Sequence, residues 1–238
     1  MNKTLIIIPA FNESETIDSV INALYSANSA WDIVVVNDGS TDNTSELAKS
    51  TAKAIVIDLP YNLGIGGAVQ TGFKYAVREK YQYAIQVDGD GQHSVDDVAK
   101  VLKIVHSGEA DVGIGSRFNS KFDKNYGVHW LRRLGIWIFK IVSLILIRQK
   151  ITDHTSGFRA YNARAFHFLS NNYPIDFPEP EVIILLGRNG FTIKEVFTQM
   201  QKRQGGISSI PICKGPYYMS KVLLSMIMAS LRRAQIKK

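Results

Sequence analysis

One cysteine, Cys213, occurs in 238 residues. A disulfide framework within the chain and a cysteine-based zinc site are both excluded, and the count fits a reducing cytoplasm. No secretory apolar segment with a cleavage site opens the chain. Met1-Asn-Lys-Thr runs straight into a short strand, so export is not expected. Neither of the two long apolar runs reaches the about 20 residues that a spanning helix needs. RNP-like, zinc-finger and helix-turn-helix patterns are also missing, so no nucleic-acid partner is expected. That matters because the net charge is +7 and the pI about 9.4. The cations gather beside apolar stretches of the second half: Arg132, Arg133, Arg148, Lys150, Lys221, Arg232, Arg233, Lys237 and Lys238. This distribution suits an anionic membrane surface. At 45% hydrophobic and 21% charged, the chain suits one large globular domain, or one domain with an appendage.

The first half alternates between two kinds of segment. Leu5–Ile8 is a β-branched run that Pro9 is expected to end, and it reads as a buried parallel strand. A helix capped by Asn12 or Ser14 is expected through about Ser26, with Glu13 and Glu15 near its positive end. Asp32–Val36 is a second strand. The turn cluster Asn37–Thr44 and a helix to Thr51 follow. Ala54–Leu59 is a third strand, and after the glycines at 64, 66 and 67 a helix runs to about Glu79. A fourth strand stops at Asp88, and a fifth spans Val112–Gly115. Such alternation means a mostly parallel sheet with right-handed crossovers. Four polar or glycine-rich strand ends then share one edge: Pro9–Glu13, Asn37–Asp42, Asn62–Gly67 and Asp88–Gln92. The carboxyl edge of an open α/β sheet is where ligands sit.

The fourth end is the most informative. Asp88-Gly-Asp90 places two carboxylates on alternate residues, followed by Gln92, His93 and a helix start at Ser94. Two hard oxygen ligands presented this way could hold Mg²⁺ or Mn²⁺ with positions left open for phosphate oxygens. The same residues could be a turn that caps the next helix. Likewise Gly64, Gly66 and Gly67 read either as a phosphate cradle or as a tight strand–helix turn.

Taken together, Pro9-Ala-Phe-Asn-Glu13, Asn37-Asp-Gly-Ser-Thr-Asp42, Asp88-Gly-Asp90 and Gly115-Ser-Arg117 resemble the GT-A nucleotide-sugar domain of family 2 glycosyltransferases. The nearest branch is that of the dolichyl- or polyprenyl-phosphate sugar synthases. The resemblance implies an α/β GT-A fold, Rossmann-like, with a mostly parallel sheet flanked by helices and with C-terminal amphipathic interface helices. It implies a GT-A domain over 1–212, with a donor half at about 1–118 and an acceptor half at about 119–212, and a C-terminal helix over 213–238. Pro9, Ala10, Asn12 and Glu13 would border the nucleoside, and Asp38 with Gly39 would meet the base or ribose. Asp88 and Asp90 would hold the metal and diphosphate, Gln92 would be a further ligand, and Arg117 would face the nucleotide phosphates.

In the second half, Leu134–Ile147 is apolar on nearly all sides, apart from Lys140. Trp130 and basic residues flank it, and Trp137 lies near its start. It reads as a membrane-interface helix over about 129–148, or as a core helix. The resemblance places an acceptor-phosphate arginine here, matched by Arg132 or Arg133. Ile151-Thr-Asp-His-Thr-Ser-Gly-Phe-Arg159 resembles a motif on the acceptor floor, with Asp153 and Arg159 as an ion-pair candidate and His154 as a satisfied loop residue. Asp176-Phe-Pro-Glu-Pro-Glu181 is expected to be a proline-stiffened turn that directs Glu179 and Glu181. Phe191–Phe197 is expected as an edge strand. Gln201–Ser209 resembles a further acceptor segment, with Arg203 on the acceptor phosphate. Tyr217–Arg233 reads as a helix that docks on lipid or on a partner.

The resulting expectation is an inverting, metal-dependent transferase, peripheral on the inner face of the cell membrane. It would move a sugar from a nucleotide diphosphate, UDP by default, to a polyprenyl phosphate. A small membrane-protein partner or a homo-oligomer fits the same surfaces. One alternative keeps the donor site and transfers to a sugar hydroxyl, with Glu179 or Glu181 as base. A more distant one is a non-catalytic nucleotide-sugar-binding scaffold.

Overall fold

The structure, a computed structural model, describes residues 3–118, 130–175, 177–199 and 215–232. Its centre is a seven-stranded sheet in the order β3-β2-β1-β4-β6-β5-β7. The strands are β1 (Thr4–Ala10), β2 (Trp31–Asn37), β3 (Ile55–Asp58), β4 (Tyr83–Gln86), β5 (Val112–Ser116), β6 (Arg159–Asn162) and β7 (Ile193–Phe197). All pairings are parallel except those of β6, which runs antiparallel to both β4 and β5. The edge position expected for Phe191–Phe197 is found, since β7 closes the sheet on one side.

β1 shows why the sheet is covered on both faces. Leu5 and Ile7 join one buried cluster, Ile6 and Ile8 the other. Successive strand residues point to opposite faces, so an unbroken apolar run needs a layer on each side. Helices α1 (Ile17–Ala27), α2 (Thr44–Ser50) and α4 (Val95–His106) cover the face of Ile6 and Ile8. The opposite face receives α3 (Gly64–Arg78), α5 (Trp130–Ile147), α6 (Ala163–Asn172), α7 (Pro178–Arg188) and α8 (Gly215–Leu231). Each fully buried Ile or Leu contributes roughly 1.5–3 kcal/mol.

Several expectations need correction. β1 does not stop at Pro9 but runs through Ala10. Its ladder with β4 ends at Ile7–Gln86, so the proline falls in the stretch paired with β2 alone, where a missing N–H is tolerated. Helix α1 starts after Thr16, later than Asn12 or Ser14, because the side chain of Asn12 and the backbone N–H of Ser14 are engaged by the neighbouring loop. Of the segment expected as a proline-stiffened turn, Asp176 lies outside the described residues, and Pro178–Glu181 form the first turn of α7 behind the cap residue Phe177, since proline is tolerated where helical N–H groups lack partners. Antiparallel β6 had not been foreseen, nor had α6.

Candidate active site

The loop after β1 is tied down on two sides. Asp38 N–H donates to the Ala10 carbonyl at 2.8 Å. Asn12 Oδ1 accepts Thr41 N–H at 2.9 Å, Glu13 N–H reaches Thr44 Oγ1 at 2.9 Å, and Ser14 N–H reaches Asp42 at 3.2 Å. Asn12 takes a left-handed φ of 56°, which asparagine tolerates better than most residues. On the other side, Thr16 Oγ1 donates to the Gly89 carbonyl at 2.7 Å. The ends of β1, β2 and β4 are therefore locked into one rim that carries Pro9, Ala10, Asn12, Glu13, Asp38, Gly39 and Asp88.

Asp38 is buried, and its Oδ1 accepts Leu63 N–H at 2.7 Å. Burial raises its pKa, opposed by the N–H groups of Leu63 and Gly64. It thereby joins the end of β2 to the start of α3. Gly39 has φ +69°, and a Cβ there would stand 2.8 Å from the backbone of Tyr61 and Asn62. Only glycine allows that approach. Gly64 and Gly66 lie inside the first turn of α3, and a Cβ on Gly66 would stand 2.7 Å from the Pro174 carbonyl oxygen. Close packing thus explains Gly66.

At the end of β4, Asp88 is part-exposed and Asp90 is buried. Asp90 Oδ1 accepts Gln92 N–H at 3.1 Å. His93 Nε2 lies 3.2 Å from Asp88 Oδ2. A Cβ on Gly157 would come within 3.3 Å of Asp88 Oδ1, so the glycine of the Thr-Ser-Gly-Phe segment leaves room for this carboxylate. His93 and Gly157 were missed as supports of Asp88. The histidine three positions beyond Asp90 was the available signal.

Arg117 follows β5 and is largely buried. Its Nε and Nη2 donate to the two oxygens of Asp153 at 2.8 and 2.7 Å, and Nη2 also reaches Thr155 Oγ1 at 2.7 Å. Burial alone would lower the pKa of Arg117. The hydrogen bonds and charge of Asp153, with a smaller contribution from Asp88, outweigh this and hold it firmly charged. The partner expected for Asp153 was Arg159, but the structure pairs it with Arg117. Arg159 instead donates Nη2 to the His154 carbonyl at 3.2 Å. His154 is also not satisfied as expected: it is buried, and neither ring nitrogen has a hydrogen-bond partner among the described residues.

Glu179 and Glu181, expected on the acceptor side, stand in the first turn of α7. Burial raises the pKa of Glu179, the charge of Arg159 opposes this and that of Asp88 adds to it. Glu181 is buried, with its carboxylate 3.9 Å from Arg232 Nη1. Arg132 and Arg133 lie in the first turn of α5, with side chains outside the described residues, and Arg203 lies outside them altogether.

Residues 5–169 match the model of the family described as Glycosyl transferase family 2. The chain belongs to glycosyl transferase family 2. This family 2 enzyme is 33% identical over 211 residues to the UDP-N-acetylglucosamine–dolichyl-phosphate N-acetylglucosaminyltransferase of Methanococcus voltae, covering 80% of this chain and 82% of that one. It is 29% identical over 222 residues to the polyprenol monophosphomannose synthase of Mycolicibacterium smegmatis, covering 87% and 81%. Among solved structures, glucosyl-3-phosphoglycerate synthase of Mycobacterium tuberculosis, in complex with Mn²⁺, UDP and phosphoglyceric acid, superposes with a TM-score of 0.71. That match covers 98% of this chain and 80% of the other at 15% identity, and so speaks for the fold. The family 2 glycosyltransferase thus has the expected GT-A architecture, with relatives among polyprenyl-phosphate sugar transferases.

Proposed function

We propose that the enzyme is a metal-dependent inverting transferase that passes a sugar from a nucleotide diphosphate to a polyprenyl phosphate at a membrane surface. The observation that carries this reading is the Asp88 and Asp90 pair just after β4, with the largely buried Arg117 guanidinium after β5 acting by charge on Asp88. Nucleoside and base would lie along Pro9–Glu13 and Asp38–Gly39, and the diphosphate between the aspartates and Arg117. The relatives whose names include dolichyl phosphate and polyprenol support the acceptor class.

The donor set suits Mg²⁺ or Mn²⁺. No group of three or more His, Cys, Asp or Glu side chains among the described residues could cage a metal. Two adjacent carboxylates, with Gln92 beside them, instead match a cation that shares its shell with substrate phosphates. Such a cation would neutralise charge on the departing diphosphate. Arg117, held rigid by Asp153, offers a fixed positive charge to the same group. In the transfer, a phosphate oxygen of the acceptor forms a bond to the anomeric carbon as the bond to the nucleotide diphosphate breaks, with inversion. The attacking oxygen is already anionic, so orientation is required rather than proton removal. Arg132 or Arg133 and Arg203 are the proposed acceptor cations.

The helices on the outer face favour lipid as the surface. Phe139, Ser143 and Ile147 of α5 face the core, while Trp137, Leu144 and Ile145 are exposed. In α8, Val222, Met226 and Ala229 are buried, and Leu224, Ile227, Met228 and Leu231 form an exposed stripe at helical spacing. Lys221 and Arg232 border that stripe on exposed positions. No helix among the described residues is long and apolar enough to cross a membrane. A shallow docking on anionic lipid fits this arrangement.

One observation favours a second reading, transfer to a sugar hydroxyl. Glu179 has a raised pKa and lies within electrostatic reach of Asp88, as a general base would. The deciding experiment supplies labelled nucleotide sugars with a short polyprenyl phosphate, with and without Mn²⁺. Metal-dependent passage of label into organic solvent is the expected result. Label that reaches only a hydroxyl acceptor would overturn the lipid-phosphate reading.

A further inference from the structure

Glu195 sits on β7, with β6 and β5 lying between it and β4, the strand that precedes the aspartates. Its carboxylate is nevertheless fully used. It accepts Thr152 N–H at 3.0 Å, Thr152 Oγ1–H at 2.9 Å and Asp153 N–H at 2.8 Å. An edge strand thereby reaches back over the 151–158 segment and fixes two consecutive peptide N–H groups. The second belongs to Asp153, whose side chain clamps Arg117 through both oxygens. Arg117 N–H adds a third contact to Asp153 at 3.1 Å. The charge of Asp88 in turn acts on Arg117. A continuous chain of short contacts therefore runs from Glu195 through Asp153 to Arg117, and from there by charge to Asp88.

This arrangement is costly unless it serves something. Glu195 binds the backbone of a second carboxylate residue, Asp153, whose side chain is the one paired with Arg117. Burial and the charge of Asp153 both push the pKa of Glu195 up, against the N–H donors of Asp153 and Thr152. A neutral residue that merely covered the sheet edge would avoid this repulsion. The carboxylate earns its place by directing Asp153, since a backbone held at two successive N–H groups leaves its side chain little freedom to turn away from Arg117.

We propose that Glu195 is a positioning residue of the donor site: it fixes the Thr152–Asp153 backbone and, through Asp153, sets the Arg117 guanidinium opposite Asp88. The proposal rests on the reading of Arg117 as a group that faces the nucleotide diphosphate. It places a determinant of donor binding on the edge strand β7.

The test compares wild type, Glu195→Gln, Arg117→Ala and the double variant, with two independent readouts. The first is the hydrogen exchange of the Arg117 Nε–H, followed by NMR on ¹⁵N-labelled protein, which needs no ligand. The second is the binding of UDP in the presence of Mn²⁺ by calorimetry. Glu195→Gln turns one acceptor into a donor against the Thr152 and Asp153 N–H groups. It should speed the Arg117 exchange and weaken UDP binding by about tenfold. In the Arg117→Ala background the same change should cost less than about twofold, because coupled residues are not additive. An equal loss in both backgrounds, or an unchanged Arg117 exchange rate, would overturn the proposal. Should wild type bind no UDP, the reading of the donor site fails, and the exchange rate alone decides whether Glu195 positions Arg117. Thr152→Val, which removes the hydroxyl contacts to Glu195 and to Ser116, provides a milder variant if Glu195→Gln does not fold, with Ser116→Ala as the control for the second contact; it should move the exchange in the same direction and by more than the control, and the absence of such a difference would count against the proposal.

Discussion

His93 Nε2 stands 3.2 Å from Asp88 Oδ2 while its ring lies stacked on Phe158, 4.2 Å between centroids and 14° from parallel. The imidazole is thus fixed by an aromatic face and in turn limits where the carboxylate can point. Replacing Asp88 and Asp90 together by asparagine should lower sugar transfer by about a hundredfold or more, since charge aimed at the reacting group is lost. Asp88 is part-exposed, so its share of the melting temperature should be small. His93→Phe keeps the stack but loses the nitrogen, and should show a smaller loss of the same kind. Radiolabel transfer and thermal melts check both.

Gly157→Ala probes the same carboxylate from the other side. The added Cβ would stand 2.9 Å from Gln86 Nε2 and 3.3 Å from Asp88 Oδ1. Both neighbours are side-chain ends that can shift by a few tenths of an ångström. The expected outcome is a fall of about tenfold in kcat with a change in stability of about 1–3 kcal/mol, the usual cost of overpacking. Steady-state kinetics and urea denaturation measure the two separately.

Glutamine at both Glu179 and Glu181 separates the acceptor classes. With a lipid-phosphate acceptor no proton has to be removed, so kcat should fall by less than about tenfold. With a hydroxyl acceptor the loss should be about 10²–10⁴-fold, as for a missing general base, with nucleotide binding intact. Assays of the double variant with each acceptor give the answer. Loss of the Glu181–Arg232 contact should also loosen α8 against α7.

His154 makes stability depend on pH. Burial, aided by the charge of Arg159 and opposed by that of Asp153, lowers its pKa from 6.5 to about 4. The unfolded chain therefore binds this proton at a higher pH than the folded one. Stability is complete above pH 6.5 and declines as pH falls towards 4. The decline is a few kcal/mol at about 1.4 kcal/mol per pKa unit. His154→Leu should flatten this limb and raise the melting temperature at pH 5, because two buried nitrogens without a hydrogen-bond partner among the described residues are removed. Melting curves at pH 8, 6.5 and 5 test it.

The lipid-facing reading of the outer helices predicts a surface effect without a folding effect. Ile145 and Leu231 are both 72% exposed, so glutamine at both should leave the melting temperature within about 1–2 °C, as for surface changes worth ±0.5 kcal/mol. Flotation with vesicles of anionic phospholipid should show at least about a tenfold weaker association, because two buried apolar side chains are lost from the contact. Unchanged flotation would remove membrane docking from the proposal.

The apolar runs Leu5–Ile8 and Ile33–Val36 read as buried strands because they are short, rich in β-branched residues and bounded by turn signals. The rim of polar strand ends followed from parallel order, so Asp38, Asp88 and Asp90 were expected on one edge of the sheet from the sequence alone. That local logic depends on chain spacing and side-chain chemistry alone. Partner choice does not. Asp153 could have taken either Arg117 or Arg159, and antiparallel β6 settled it by turning Arg159 into the sheet beside His154. The support of Asp153 by Glu195 is just as invisible in the chain, where the two are 42 positions apart. Contacts of such separation are fixed by which strands lie side by side, and strand order is a property of the whole packed sheet.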